Sequence, residues 1–227
     1  MKSAQKGFTL VEIAIVLVII GLLLGGILKG QEMITQAKIK NVVADFSGIS
    51  AAYYGYQDRY RAIPGDDLNA ATRWTNAPAA VAGDGNGVVG GTYNNACVQV
   101  PVAATPETCK WWDHLRRAGF VSGSGGLQPF NAVTGLLGVQ TGDGGGGSTL
   151  LNAAGGNGFS SLLVCSANLP DKIAIAVDTQ MDDGASNVGT VRALQQAAPN
   201  PNITNNLVAT AAYQETGTLT YTLCRSL

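Results

Sequence analysis

From Ile13 to Leu28 the chain carries no charged residue. A stretch this long and this apolar suits a membrane span. It opens with Phe8-Thr-Leu-Val-Glu12 and closes at Lys29. As a helix, Phe8 to Leu28 reaches roughly 31 Å at ~1.5 Å per residue. A bilayer's hydrocarbon core is ~30 Å thick, so the segment is long enough to cross it. Three readings compete. A secretory signal would be followed by a small-residue cleavage site, yet Gly30 and Ala37 make no A-x-A pattern and the run is long for that role. A plain membrane anchor would carry Glu12 as a snorkelling end residue, near the interface where a carboxylate is tolerated. The third reading rests on the residues that precede the run.

Lys6-Gly-Phe-Thr-Leu-Val-Glu12, followed by an uncharged apolar stretch, resembles the N-terminal signature of type IV pilins and pseudopilins. The resemblance implies that a prepilin peptidase cuts between Gly7 and Phe8 and that Phe8 is then methylated. Residues 1–7 would be a leader peptide, and Glu12 would be fifth in the mature chain. Cleavage there removes Lys2 and Lys6 and leaves the anchor whole. The amine of Phe8 would lie in apolar surroundings. Glu12 is the only charge between Phe8 and Leu28, and it can neutralise that amine, most simply across subunits, because an unpaired buried charge is costly. Glu12 is therefore the expected assembly residue.

The spacing predicts that the helix continues to about Arg61. Ile39, Val42, Val43, Phe46, Ile49, Tyr53, Tyr56 and Tyr60 recur at steps of one, three and four, which is one face of an amphipathic helix. Pro64-Gly65 stops it. Residues 8–28 form the expected membrane or filament-core helix, 29–62 its amphipathic continuation, and 63–227 a globular region outside the cytoplasm. Gly21, Gly25, Gly26 and Gly30 make overlapping G-x-x-x-G patterns that permit close helix contact.

The distal region is polar and mildly acidic, with seven basic and eleven acidic residues after Ala62. Residues 65–158 read as irregular, with short helices at Leu68–Trp74 and Trp111–Ala118. Strands are expected at Leu162–Ser166, Lys172–Asp178 and Leu219–Cys224, with Gly189–Leu194 a fourth strand or edge. Asn168–Asp171 suits a hairpin turn. The fold class is α+β: a long N-terminal helix packed against a small antiparallel sheet with long loops, the arrangement the resemblance also implies.

Several function classes are excluded or disfavoured. Formal net charge is -1, so no bulk positive field exists to hold nucleic acid. There is one histidine, His114, which rules out a multi-histidine centre. The glycine-rich stretches 123–126, 142–147 and 155–158 carry neither G-K-[ST] nor G-x-G-x-x-G between a strand and a helix, and read as surface loops. No convergent catalytic set appears, so no active site and no required cofactor are expected.

Cys97, Cys109, Cys165 and Cys224 all lie beyond the helix. An even count in an exported region suggests disulfides, with three connectivities open. The favoured one joins Cys97 to Cys109 as a local loop and Cys165 to Cys224 between strands. Asp178, Asp182 and Asp183, with Gly184, are a candidate calcium loop. Solvated turn carboxylates are the competing reading, and Asp84-Gly-Asn86-Gly is a weaker second candidate. The resemblance implies a structural filament subunit, made in the inner membrane and assembled with copies of itself or related pilins by a pilus or type II secretion machinery. A periplasmic pseudopilin is the first alternative to a surface pilus. A membrane-anchored binding protein or enzyme is the second.

Overall fold

The computed structural model describes residues 9–142, 158–203 and 212–227. Gly7 and Phe8 lie outside them, as do most of the glycine-rich stretches 142–147 and 155–158. Helix α1 runs from Leu10 to Tyr60. It stops where Arg61 turns left-handed (φ 54°) just ahead of Pro64-Gly65. The chain divides into two compact units, Met1–Lys38 and Ile39–Leu227.

In the first unit every side chain from Leu10 to Leu28 is exposed. Apolar surface on all sides of a helix needs a cover other than water.

The second unit begins inside α1, at Ile39. The reason is the amphipathic face. Ile39, Val42, Phe46, Ile49, Tyr53 and Tyr56 are buried, and they join one core cluster with Trp111, Trp112, Leu115 and the sheet. Two short helices precede that sheet, α2 (Ala70–Arg73) and α3 (Glu107–Arg117). α3 starts earlier than the expected Trp111 because Pro106 sets its first turn. The sheet comprises β1 (Leu137–Thr141), β2 (Leu162–Pro170), β3 (Val191–Gln195) and β4 (Thr220–Ser226). Their order is β1-β2-β4-β3, and each neighbouring pair is antiparallel. Alternation along β2 buries both of its faces. Leu162 and Val164 enter the cluster with α1, while Leu163, Cys165 and Ala167 enter a second cluster with Tyr93, Phe159 and Ile203. The architecture is α+β, a long N-terminal helix with a small antiparallel sheet.

Three expectations fail. Lys172–Asp178 is not a strand but part of helix α4 (Asp171–Met181). Its apolar residues, Ile173 to Val177, form one continuous run that suits a strand or a helix, and the buried positions Ile173, Ala174, Val177 and Asp178 follow a helical period. Asn168–Asp171 is not a hairpin turn. Asn168 is left-handed (φ 57°) and sits in a bulge, after which β2 continues to Pro170. Pro170 has no N–H to extend the ladder, and Asp171 opens α4. Finally, β1 lies within the stretch read as irregular.

Candidate processing and assembly site

The described chain starts two residues after Gly7, at Thr9, and the geometry there is specific. Thr9 precedes the first helical residue, and Ile13 N–H donates to its carbonyl at 3.3 Å. Thr9 N–H and Oγ1 both donate to Glu12 Oε2, at 2.8 and 2.9 Å, and Glu12 N–H donates to Thr9 Oγ1 at 3.3 Å. This is a reciprocal capping box, T-x-x-E, which satisfies two donors that a helix start leaves open. The pattern is visible in the sequence, but the sequence reading took Glu12 only as a charge and missed Thr9. Glu12 therefore has a local partner within its own chain. The Gly7–Phe8 bond itself lies outside the described residues.

The cysteines form two disulfides. Cys97 pairs with Cys109, with Cα atoms 5.2 Å apart, and Cys165 with Cys224, with Cα atoms 4.1 Å apart. The first ties a loop to the opening turn of α3. The second joins register partners on β2 and β4.

Asp178, Asp182 and Asp183 each hold a different part of the chain. Asp178 ends the buried face of α4, where its two oxygens accept from Tyr213 Oη at 2.5 Å and Gly184 N–H at 3.2 Å. Asp182 Oδ2 accepts from the backbone N–H groups of Thr190 and Val191, and Asp183 Oδ1 from that of Ala185. Among the described residues these three do not form a group with ligand oxygens all within 4.8 Å of one another. Burial pushes the Asp178 carboxyl up to about 6, and the neighbouring Asp183 and Asp182 charges act in the same direction. The folded state thus holds a proton that the unfolded chain releases near pH 4. Stability from this group is present at low pH and is lost as pH rises from about 4 to about 6. Asp178→Asn should raise the urea midpoint at pH 7.5 and leave it unchanged at pH 4, because Asn can accept from Gly184 and donate to the Tyr213 oxygen. An equal shift at both pH values would contradict this account.

The carboxylates that do converge among the described residues are Asp66, Asp84 and Glu107, with one oxygen from each lying within 4.8 Å of the others. Asp66 accepts from the N–H groups of Gly85, Asn86 and Gly87, and Glu107 from those of Asp84 and Gly90. They pin the 84–90 loop against the start of α3. Burial holds the Asp66 carboxyl above its ordinary range, and Asp84 adds to the effect against the opposing backbone N–H groups. Asp84, the weaker sequence candidate, belongs to this group. His114 is fully buried and structural in its contacts. Gly65 N–H donates to its Nδ1 at 2.9 Å, so Nε2 carries the hydrogen and donates to the Val81 carbonyl at 2.8 Å. Burial lowers its pKa, keeping it neutral.

The prokaryotic N-terminal methylation motif matches residues 2–28. This is the signature of type IV pilins and pseudopilins, and with the long apolar helix and the antiparallel sheet it supports a pilin-like or pseudopilin protein. The same features fit a membrane-anchored precursor. No curated protein and no solved structure matches the chain significantly.

Proposed function

We propose that the chain is the structural subunit of a type IV pilus-like filament. It is cut between Gly7 and Phe8 by prepilin peptidase, methylated on Phe8, and assembled with copies of itself or related pilins. The observation that carries this reading is the fully exposed, uncharged surface of α1 from Ile13 to Leu28, headed by Glu12 within a methylation motif. Lipid covers that surface before assembly, and neighbouring helices cover it afterwards. On release from the membrane, Glu12 exchanges its capping contacts for the charged amine of Phe8.

Variants separate the two roles of Glu12. Glutamine also serves in a capping box but carries no charge. Glu12→Ala and Glu12→Gln should both leave cleavage intact and cut the yield of sheared filament by an order of magnitude or more. Thr9→Ala, which removes only the cap, should lower the yield less. Mass spectrometry of the sheared fraction, searching for a chain that begins at methylated Phe8, is the measurement. Normal filament yield from Glu12→Gln would sink the charge-pairing role. Processed chain retained wholly in the membrane would favour the pseudopilin reading, and a chain with intact Met1 would overturn both.

A further inference from the structure

The turn that follows α1 is fastened to α3 through a single ring. Gly65 is left-handed (φ 87°), and a Cβ there would lie 2.6 Å from the Glu107 carbonyl oxygen, so the turn packs directly on the first turn of α3. The Gly65 N–H donates to His114 Nδ1 at 2.9 Å, and Nε2 of the same ring donates to the Val81 carbonyl at 2.8 Å. His114 has no exposed surface. The Tyr56 ring of α1 lies nearly parallel to it at a centroid distance of 6.4 Å, and Trp74 stands 6.1 Å away.

Both ring nitrogens are therefore committed. Nδ1 is the one position at which the ring can take up a proton, and a proton there would point at the Gly65 N–H. An imidazolium has two donors and no acceptor. The closed turn and the charged ring exclude each other. The surrounding charges do not remove this conflict. Lys110 and Asp113 lie on α3, Asp66 and Asp67 on the turn, and Arg73 on α2. Asp67 is paired with Arg73 and with the Tyr56 hydroxyl, and Asp113 with Arg117. Burial outweighs the pull of Asp113 and Asp67 and holds the ring below its ordinary value of 6.5, with Lys110 acting in the same direction as burial. Stability from the closed turn is whole above 6.5 and is lost as pH falls below it. We infer that His114 is an acid-operated latch: when Nδ1 takes a proton from water, the Gly65 N–H is expelled and the turn after α1 comes away from α3. Titration of Asp66 is separable, because that carboxylate holds the N–H groups of Gly85, Asn86 and Gly87 and not that of Gly65. The latch is independent of the assembly role of α1.

The test follows the full chain in detergent by nuclear magnetic resonance from pH 7 to pH 4.5. His114 is the only histidine, so isotopic nitrogen labelling of histidine reports one ring. At pH 7 that ring should be neutral and protonated on Nε2, and its midpoint should lie below 6.5. As it charges, protection of the Gly65 amide from hydrogen exchange should fall by roughly tenfold or more, the effect of one lost hydrogen bond. The amides of Leu163 and Val164 in β2 should keep their protection. His114→Asn offers an oxygen near the Nδ1 position that does not titrate, so Gly65 protection should stay constant across the range. If this variant does not fold, the wild-type ring and amides decide the matter. A midpoint at or above 6.5, a ring still neutral at pH 4.5, or Gly65 protection unmoved as the ring charges would overturn the latch. So would a loss shared equally by β2, which is general unfolding, or a His114→Asn profile matching the wild type.

Discussion

Replacing Cys165 and Cys224 together with alanine should lower the unfolding free energy of the Ile39–Leu227 unit by about 4 kcal/mol. The bond spans a sequence separation of 59, a loop that contains α4 and β3. Closing a loop of that length removes much of the freedom of the unfolded chain, and the chain-entropy account converts this into about that figure. Removing the Cys97–Cys109 bond, with a separation of 12, should cost about 3 kcal/mol on the same account. Urea unfolding of the full chain in detergent, followed by the fluorescence of the buried Trp111 and Trp112, gives both values. Equal midpoints for the wild type and the Cys165/Cys224 variant would show that the unfolded state is restrained by something else.

Phe46→Ala should destabilise the same unit by about 3–5 kcal/mol, the usual cost of emptying a fully buried aromatic site. Phe46 lies at the centre of the α1 face that meets the sheet, with no exposed surface. Met33→Ala is the contrast. Met33 belongs to the same helix but is 66% exposed and lies in the other compact unit, so its effect on this transition should be near zero. The pair tests where α1 passes from one role to the other. A large effect at Met33, or a small one at Phe46, would place that boundary elsewhere.

The sequence made α1 legible because two independent signals run along it. The absence of charge from Ile13 to Leu28 marked the exposed portion, and the spacing of Ile39, Val42, Phe46, Ile49 and Tyr53 marked the buried face. β2, β3 and β4 were also readable from short apolar runs between turn residues. α4 was not, because Lys172-Ile-Ala-Ile-Ala-Val-Asp178 satisfies both periods at once, and only tertiary contacts choose between them. β1 was hidden because its interior holds Gly138 and Gln140, neither of which signals a strand. At the assembly site Glu12 was found from its isolation, but its Thr9 partner was overlooked although the T-x-x-E pattern is plain. The Asp178 loop is plain in the sequence because its carboxylates are close along the chain. The group that does converge draws Asp66, Asp84 and Glu107 from segments well separated in the chain.

The strand order β1-β2-β4-β3 places β4 inside the sheet, paired on both sides. A nascent chain that has not reached residue 220 therefore has no bridge between β2 and β3. It also lacks Tyr221 and Leu223 for the core and Cys224 for the disulfide. Cooperative closure of the unit waits on those few residues. Biosynthesis must shelter β1, β2, α4 and β3 until then, while the apolar opening of α1, synthesised first, already needs a nonaqueous environment. The two units thus make their demands on the cell at opposite ends of translation.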